Sequence, residues 1–193
     1  IHYITTKRSL NQSATHGLHS GDSPMISNNM SEKLNAQINR EMYSAYFYLG
    51  LSAQAEAANL KGAASWFFAK YGEEMEHALK IYRYLVDQDA SVSFGGIAAP
   101  PSDSEGVLHM FEQTLAHERE VTGAINELVD QALSEKDHAT NVFLQWFVTE
   151  QIEEEATVND ILGRLRLFGD QGQGLFMIDN ELADLAKQIN LEG

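Results

Sequence analysis

The chain has no cysteine, only three prolines, and 13 basic residues against 28 acidic ones, for a net charge of −15 with the histidines neutral. Without thiols there can be no disulfide, no zinc ribbon and no cysteine-held iron–sulfur cluster, so any metal must be bound through oxygen and nitrogen. The shortage of basic residues argues against a nucleic-acid partner, because a phosphate backbone needs a basic face. The acidic excess suits a protein that attracts cations, although its plainest meaning is solubility. No apolar run approaches the roughly 18–20 residues of a membrane span, so no membrane partner is expected. What is present fits one well-buried domain: 193 residues, 44% hydrophobic and 21% charged.

Residues 1–30 differ from the rest. They are rich in Ser, Thr, Asn and His and contain one acid, Asp22. Such a composition builds no core, so the segment reads as an expression leader or targeting remnant outside the fold, and Met25 or Met30 can each be a natural start. From Ser31, a plausible N-cap, the pattern is helical: 31–58, 62–88, 104–134, 140–168 and a short fifth helix over 176–190. The breaks are "NLKG", "DASVSFGGIAAPPSDSE", "EKDHA" and "GDQGQG". The first and third are short, which makes the flanking helices antiparallel neighbours. The second can span roughly 55 Å as extended chain, against about 40 Å for the preceding helix. It can therefore carry the chain to the opposite end. The expected fold is all-α: a four-helix bundle over 31–170 with one long crossover, then a linker and short helix over 171–193.

The apolar stripes of these helices contain acids where none should be. The first reads Leu34, Ile38, Glu41, Ala45, Tyr48, Ser52, and the second Phe67, Tyr71, Glu74, Ala78, Ile81, Leu85. The third reads Leu108, Phe111, Leu115, Glu118, Thr122, Ile125, Val129, and the fourth Phe147, Gln151, Glu154, Val158, Ile161, Leu165. Each helix places one Glu near the middle of its buried face. A single buried Glu is commonly a satisfied structural group. Four meeting at one level repel one another and push their pKa values up, unless a cation sits between them. His77, three residues after Glu74, adds a nitrogen on the same face. Oxygen ligands with one imidazole suit iron or manganese, with zinc as competitor.

Further acids adjoin the stripes. Glu73 neighbours Glu74, and Glu150 and Glu153 flank Gln151 and Glu154 in "TEQIEEEATV". An acid run on a helix is usually a solvated face, which is the reading for Glu155; pattern alone leaves Glu150 and Glu153 open. Tyr48, two turns after Glu41, is either core or a redox neighbour of a metal.

The stretches "EKLNAQINREMYSAYFYL", "EEMEH", "AHERE" and "FLQWFVTEQIEEE" resemble, in order and helix by helix, those of bacterial non-haem ferritins, and the likeness runs from about Ser31 to Gln188. The resemblance implies iron storage: a five-helix subunit, a hollow homo-oligomeric shell of 24 subunits, oxidation of Fe(II) by O2 or H2O2, and a stored ferric mineral. It implies Glu41, Glu74 and His77 as ligands of a first iron with Glu74 bridging, Glu118 and Glu154 as ligands of a second, and Gln151 and Tyr48 beside the centre. It also implies a third iron site from Glu73, Glu150, Glu153 and Glu154. A cytoplasmic location follows, or an organellar one if residues 1–30 are a targeting remnant.

The departures discriminate among relatives. Glu154 is followed three residues later by Thr157, so the second histidine of the two-Glu-x-x-His di-iron plan is missing. Met75 stands where bacterioferritins carry a haem-ligating Met, but methionine also occurs there in non-haem relatives, and haem is not expected. The acidic pair of the animal three-fold iron channel corresponds to Asn141 and Leu144. Rival readings are a di-iron protein that reduces peroxide without storing mineral, a scaffold bundle whose acids only solubilise it, and a mini-ferritin. The last is disfavoured by the fifth helix and by glutamates placed inside the bundle.

Overall fold

The computed structural model describes residues 26–102, 104–169 and 171–192, apart from the side chains of 190–192. It contains five helices: α1 (Asn28–Ala57), α2 (Lys61–Asp87), α3 (Gly106–Glu135), α4 (His138–Phe168) and α5 (Gly172–Glu192). There is no strand among the described residues, and none of their helices is long and apolar enough to cross a membrane.

Cross-helix contacts fix the directions. Ser52 near the end of α1 donates to the Ala64 carbonyl near the start of α2, while Leu34 packs with Leu85 at the other end. Likewise Arg166 of α4 reaches Glu112 of α3, and Thr122 donates to Glu155. Both pairs are antiparallel. The α2–α3 segment is the expected crossover. It is pinned to α1 first at Asn35, which bonds the Ser91 carbonyl and the Ser93 amide, and last at Gln54, which bonds the Pro101 carbonyl and the Ser104 amide. Those anchors are 19 residues apart on a helix, roughly 28 Å.

Several boundaries differ from the sequence reading, the starts of α1, α3, α4 and α5 among them. The N-cap of α1 is Ser27, whose hydroxyl accepts from the Met30 amide at 3.0 Å. Ser31 therefore lies inside the helix, and Ile26 and Met30 are buried in the core. The rest of the expected leader, 1–25, lies outside the described residues. Helix α4 starts at His138 because Asp137 caps it through the Thr140 amide. Helix α5 begins at Gly172, before the expected 176, and is 21 residues long. Gly174 permits this, since a Cβ there would stand 2.0 Å from the Phe168 carbonyl oxygen.

Helix α5 braces one end of the bundle. Ile178, Leu182 and Ala186 join Ala63, Trp66 and Ala69 of α2 in the core. Helix α2 lacks a side-chain cap of its own, and Asp179 of α5 supplies one by accepting from the Ala63 amide at 2.9 Å. A carboxylate there also suits the positive end of the helix dipole. The approach requires Gly62, because a Cβ would fall 1.6 Å from the Asp179 carbonyl oxygen.

The core is divided. One apolar cluster contains Phe47, Leu51, Trp66, Phe67, Phe111, Val158 and Ile161; the other contains Leu34, Ile38, Ala78, Ile81, Ile125, Leu144 and Phe147. The acidic stripe residues lie between them. Gly62→Ala is expected to lower stability by about 1–3 kcal/mol through overpacking and to loosen α5. Thermal unfolding with hydrogen exchange of 175–189 checks this, and unchanged protection there contradicts the bracing role.

Candidate metal centre

The stripe periodicity sends all four central glutamates inward. Glu41, Glu74, Glu118 and Glu154 are 1%, 3%, 1% and 6% exposed, with His77 buried beside them. Five ionisable groups thus occupy a layer closed above and below by apolar side chains.

Glu41, Glu74 and His77 form one compact group, offering one ligand atom each within 4.8 Å of one another. The His77 Nδ1 lies 3.5 Å from Glu74 Oε2. Gln37 donates to Glu41 Oε1 at 2.8 Å, leaving Glu41 Oε2 buried with no hydrogen-bond partner. An ionised carboxylate oxygen buried without a donor is costly, so this one calls for either a proton or a cation. Two carboxylates and an imidazole with ligand atoms this close fit a divalent cation with mixed oxygen and nitrogen preference, such as Fe(II).

Glu73, His77 and Glu150 form a second such group, half-buried at the wall of a cavity of about 570 Å³ between α2 and α4. Glu153 lines the same cavity but is solvent-exposed. Neither group includes Glu118 or Glu154. Glu118 accepts a very short bond from the Tyr48 phenol and a bond of 3.2 Å from Gln151. Glu154 pairs closely with Lys70.

Lys70 is the functional candidate that the sequence reading missed. It is 2% exposed and also donates to Glu73 Oε2 at 2.5 Å. The signal was available: Lys70 lies three residues after Phe67 and four before Glu74, inside the stripe. One other expectation needs correction: Glu155 is half-buried rather than on a solvated face, and it holds Thr122 at 2.7 Å.

Electrostatics follow from burial without metal. Burial pushes Glu41 up to about 8, with the neighbouring Glu74 charge adding to the effect. Burial likewise pushes Glu118 up to about 8, helped by Glu74 and Glu154. Burial alone would lower His77, but Glu74 outweighs it and raises the imidazole to about 9. Burial alone would raise Glu74, yet the His77 imidazolium and Lys70 hold it below the usual carboxylate range. Lys70 is driven above an ordinary lysine by Glu154 and Glu73, which overcome its desolvation. Without metal, protons on Glu41 and Glu118 and the charges on His77 and Lys70 offset the repulsion among these acids.

The ferritin-like domain family matches residues 31–168. The chain belongs to the ferritin family. It is 39% identical to the bacterial non-heme ferritin of Campylobacter jejuni over 162 residues, covering 84% of this chain and 97% of that protein. It is 37% identical to that of Escherichia coli, covering 85% and 99%. Among solved structures, an open-pore ferritin from the archaeon Archaeoglobus fulgidus superposes with a TM-score of 0.81 at 42% identity, covering 82% of this chain and 98% of that one.

The raised groups set a sign for pH dependence in the metal-free protein. Glu41 and Glu118 stabilise fully below 4.5 and lose that contribution as pH rises through about 8, and His77 does so between 6.5 and about 9. The melting temperature of the metal-free ferritin is expected to fall between pH 6.5 and 9. Glu41→Gln and Glu118→Gln should flatten the profile. Calorimetry across this window checks it, and a rising melting temperature would contradict the assignment.

Proposed function

We propose that this chain is an iron-storage ferritin subunit that binds Fe(II) among the buried acids, promotes its oxidation, and retains the ferric product in a multi-subunit shell. One observation carries the reading: a layer of glutamates from four helices, closed in by apolar clusters, with a carboxylate oxygen of Glu41 left without a donor.

In this reading Fe(II) is the substrate. Glu41, Glu74 and His77 bind the first ion, and Glu118 and Glu154 face the second, with Glu74 between the two halves. Hard anionic oxygen favours Fe(III) over Fe(II), so the carboxylates lower the cost of giving an electron to O2 or H2O2. Gln151 and Tyr48 position Glu118. Glu73 and Glu150, with Glu153 at the rim, form the outer station through which a third ion passes. The four-helix bundle carries this chemistry, and α5 braces it. Shell size is taken as 24 subunits from the family likeness.

Replacing Glu74 with Ala removes a carboxylate of the first group. The initial rate of Fe(II) oxidation after aerobic mixing should fall to that of Fe(II) in buffer while the assembled particle elutes unchanged. Stopped-flow absorbance measures the rate, and an unchanged initial rate in an assembled Glu74→Ala protein would refute the proposal.

A further inference from the structure

The ion that faces Glu154 here is an ammonium. Lys70 projects from α2 one turn before Glu74 and is 2% exposed, with Nζ paired to Glu154 and 2.5 Å from Glu73. The opposite acid, Glu118, is tied by Tyr48 and Gln151. The two halves of the layer are therefore unlike. Glu41, Glu74 and His77 present converging ligand atoms and an orphaned oxygen, whereas the Glu118–Glu154 half already holds a positive charge.

Lysine and a divalent ion compete for the same carboxylate oxygens, and at a few ångström they repel strongly where water is excluded. A buried ammonium cannot simply be abandoned either, because an unpaired buried charge is strongly unfavourable. It needs a second set of acids within reach. The cavity on its open side supplies one: Glu73, Glu150 and Glu153 line it together with Lys70. Glu73 already holds the head at 2.5 Å, and four flexible methylene groups let it turn from Glu154 toward Glu150 and Glu153.

We propose that Lys70 is a tethered cation occupying the Glu118–Glu154 half of the centre. The chain then takes one divalent ion readily at Glu41, Glu74 and His77, and admits a second only by displacing the ammonium toward Glu73, Glu150 and Glu153. This rests on the iron-binding reading above and deepens it. It has a consequence outside the centre: the displaced ammonium neutralises the outer acids, so the second inner ion and an ion at Glu73 and Glu150 oppose each other. Lys70 acts here through the carboxylates and is a positioning residue.

The test is anaerobic titration of the intact, metal-stripped protein with zinc(II) by calorimetry, followed by zinc-edge anomalous maps at matched loading. Wild type is expected to bind one inner ion, with the second at least tenfold weaker and Lys70 still on Glu154 when one ion is bound. Lys70→Gln should tighten the second ion at least tenfold, whereas Lys70→Arg, which keeps the charge, should behave as wild type. Two inner ions of similar affinity in wild type, or no change in Lys70→Gln, would overturn the proposal. If Lys70→Gln fails to fold, the wild-type map decides alone: full zinc between Glu118 and Glu154 at one ion per chain overturns it. Absence of zinc from Glu41, Glu74 and His77 in every variant is a different result, and it refutes the iron-binding reading itself.

Discussion

Four carboxylates from four helices are brought to one level of a bundle whose interior is otherwise hydrocarbon. Mutual repulsion and lost hydration both oppose their ionisation there. The surrounding structure depends on meeting that constraint. Protons on Glu41 and Glu118, the His77 imidazolium and the Lys70 ammonium meet it when no metal is bound. A divalent cation would meet it in a different way, by displacing those protons. The antiparallel pairs and the crossover pinned along α1 set the register that places Glu41 opposite Glu74 and Glu118 opposite Gln151.

The charge arrangement is lopsided, and its chemical meaning follows from that. The half around Glu41 is held neutral by removable protons. The half around Glu154 is held neutral by a side chain that can move but cannot leave. A site of this kind fills in order, and the order is written into α2, where Lys70, Glu73, Glu74 and His77 follow one another within two turns. The apolar clusters on either side keep the carboxylates from simply turning to water. The open cavity on the α2–α4 side gives ions and the lysine head the same route.

The bundle and its acidic layer were legible in the sequence because both rest on helical periodicity, the strongest local signal a chain carries. Glu41, Glu74, Glu118 and Glu154 stand in apolar stripes, and no tertiary information is needed to see that they point inward. Helix starts were less legible. Ser27 and Ser31 are equally good caps by local chemistry, and burial of Ile26 and Met30 decides between them. Gly172 and Gly174 read as breakers, yet Gly174 continues α5 because it must pass beneath the Phe168 carbonyl. Lys70 escaped notice because lysine is ordinarily a surface residue, and its meaning depends on Glu154, 84 residues away. Which of Glu150, Glu153 and Glu155 face inward follows from how α4 meets α2 and α3, which the acid-rich stretch "EQIEEE" does not encode.

The central claim is that the buried acids stay neutral by exchanging one kind of cation for another. Its most direct measurement is the number of protons released for each Fe(II) bound without oxidant, titrated in weakly buffered solution near pH 7. With Glu41 near 8 and His77 near 9 in the metal-free protein, the account predicts release of more than one proton with the first ion. Binding of Fe(II) with no proton release would show that the carboxylates were already ionised and solvated, and the account would be wrong.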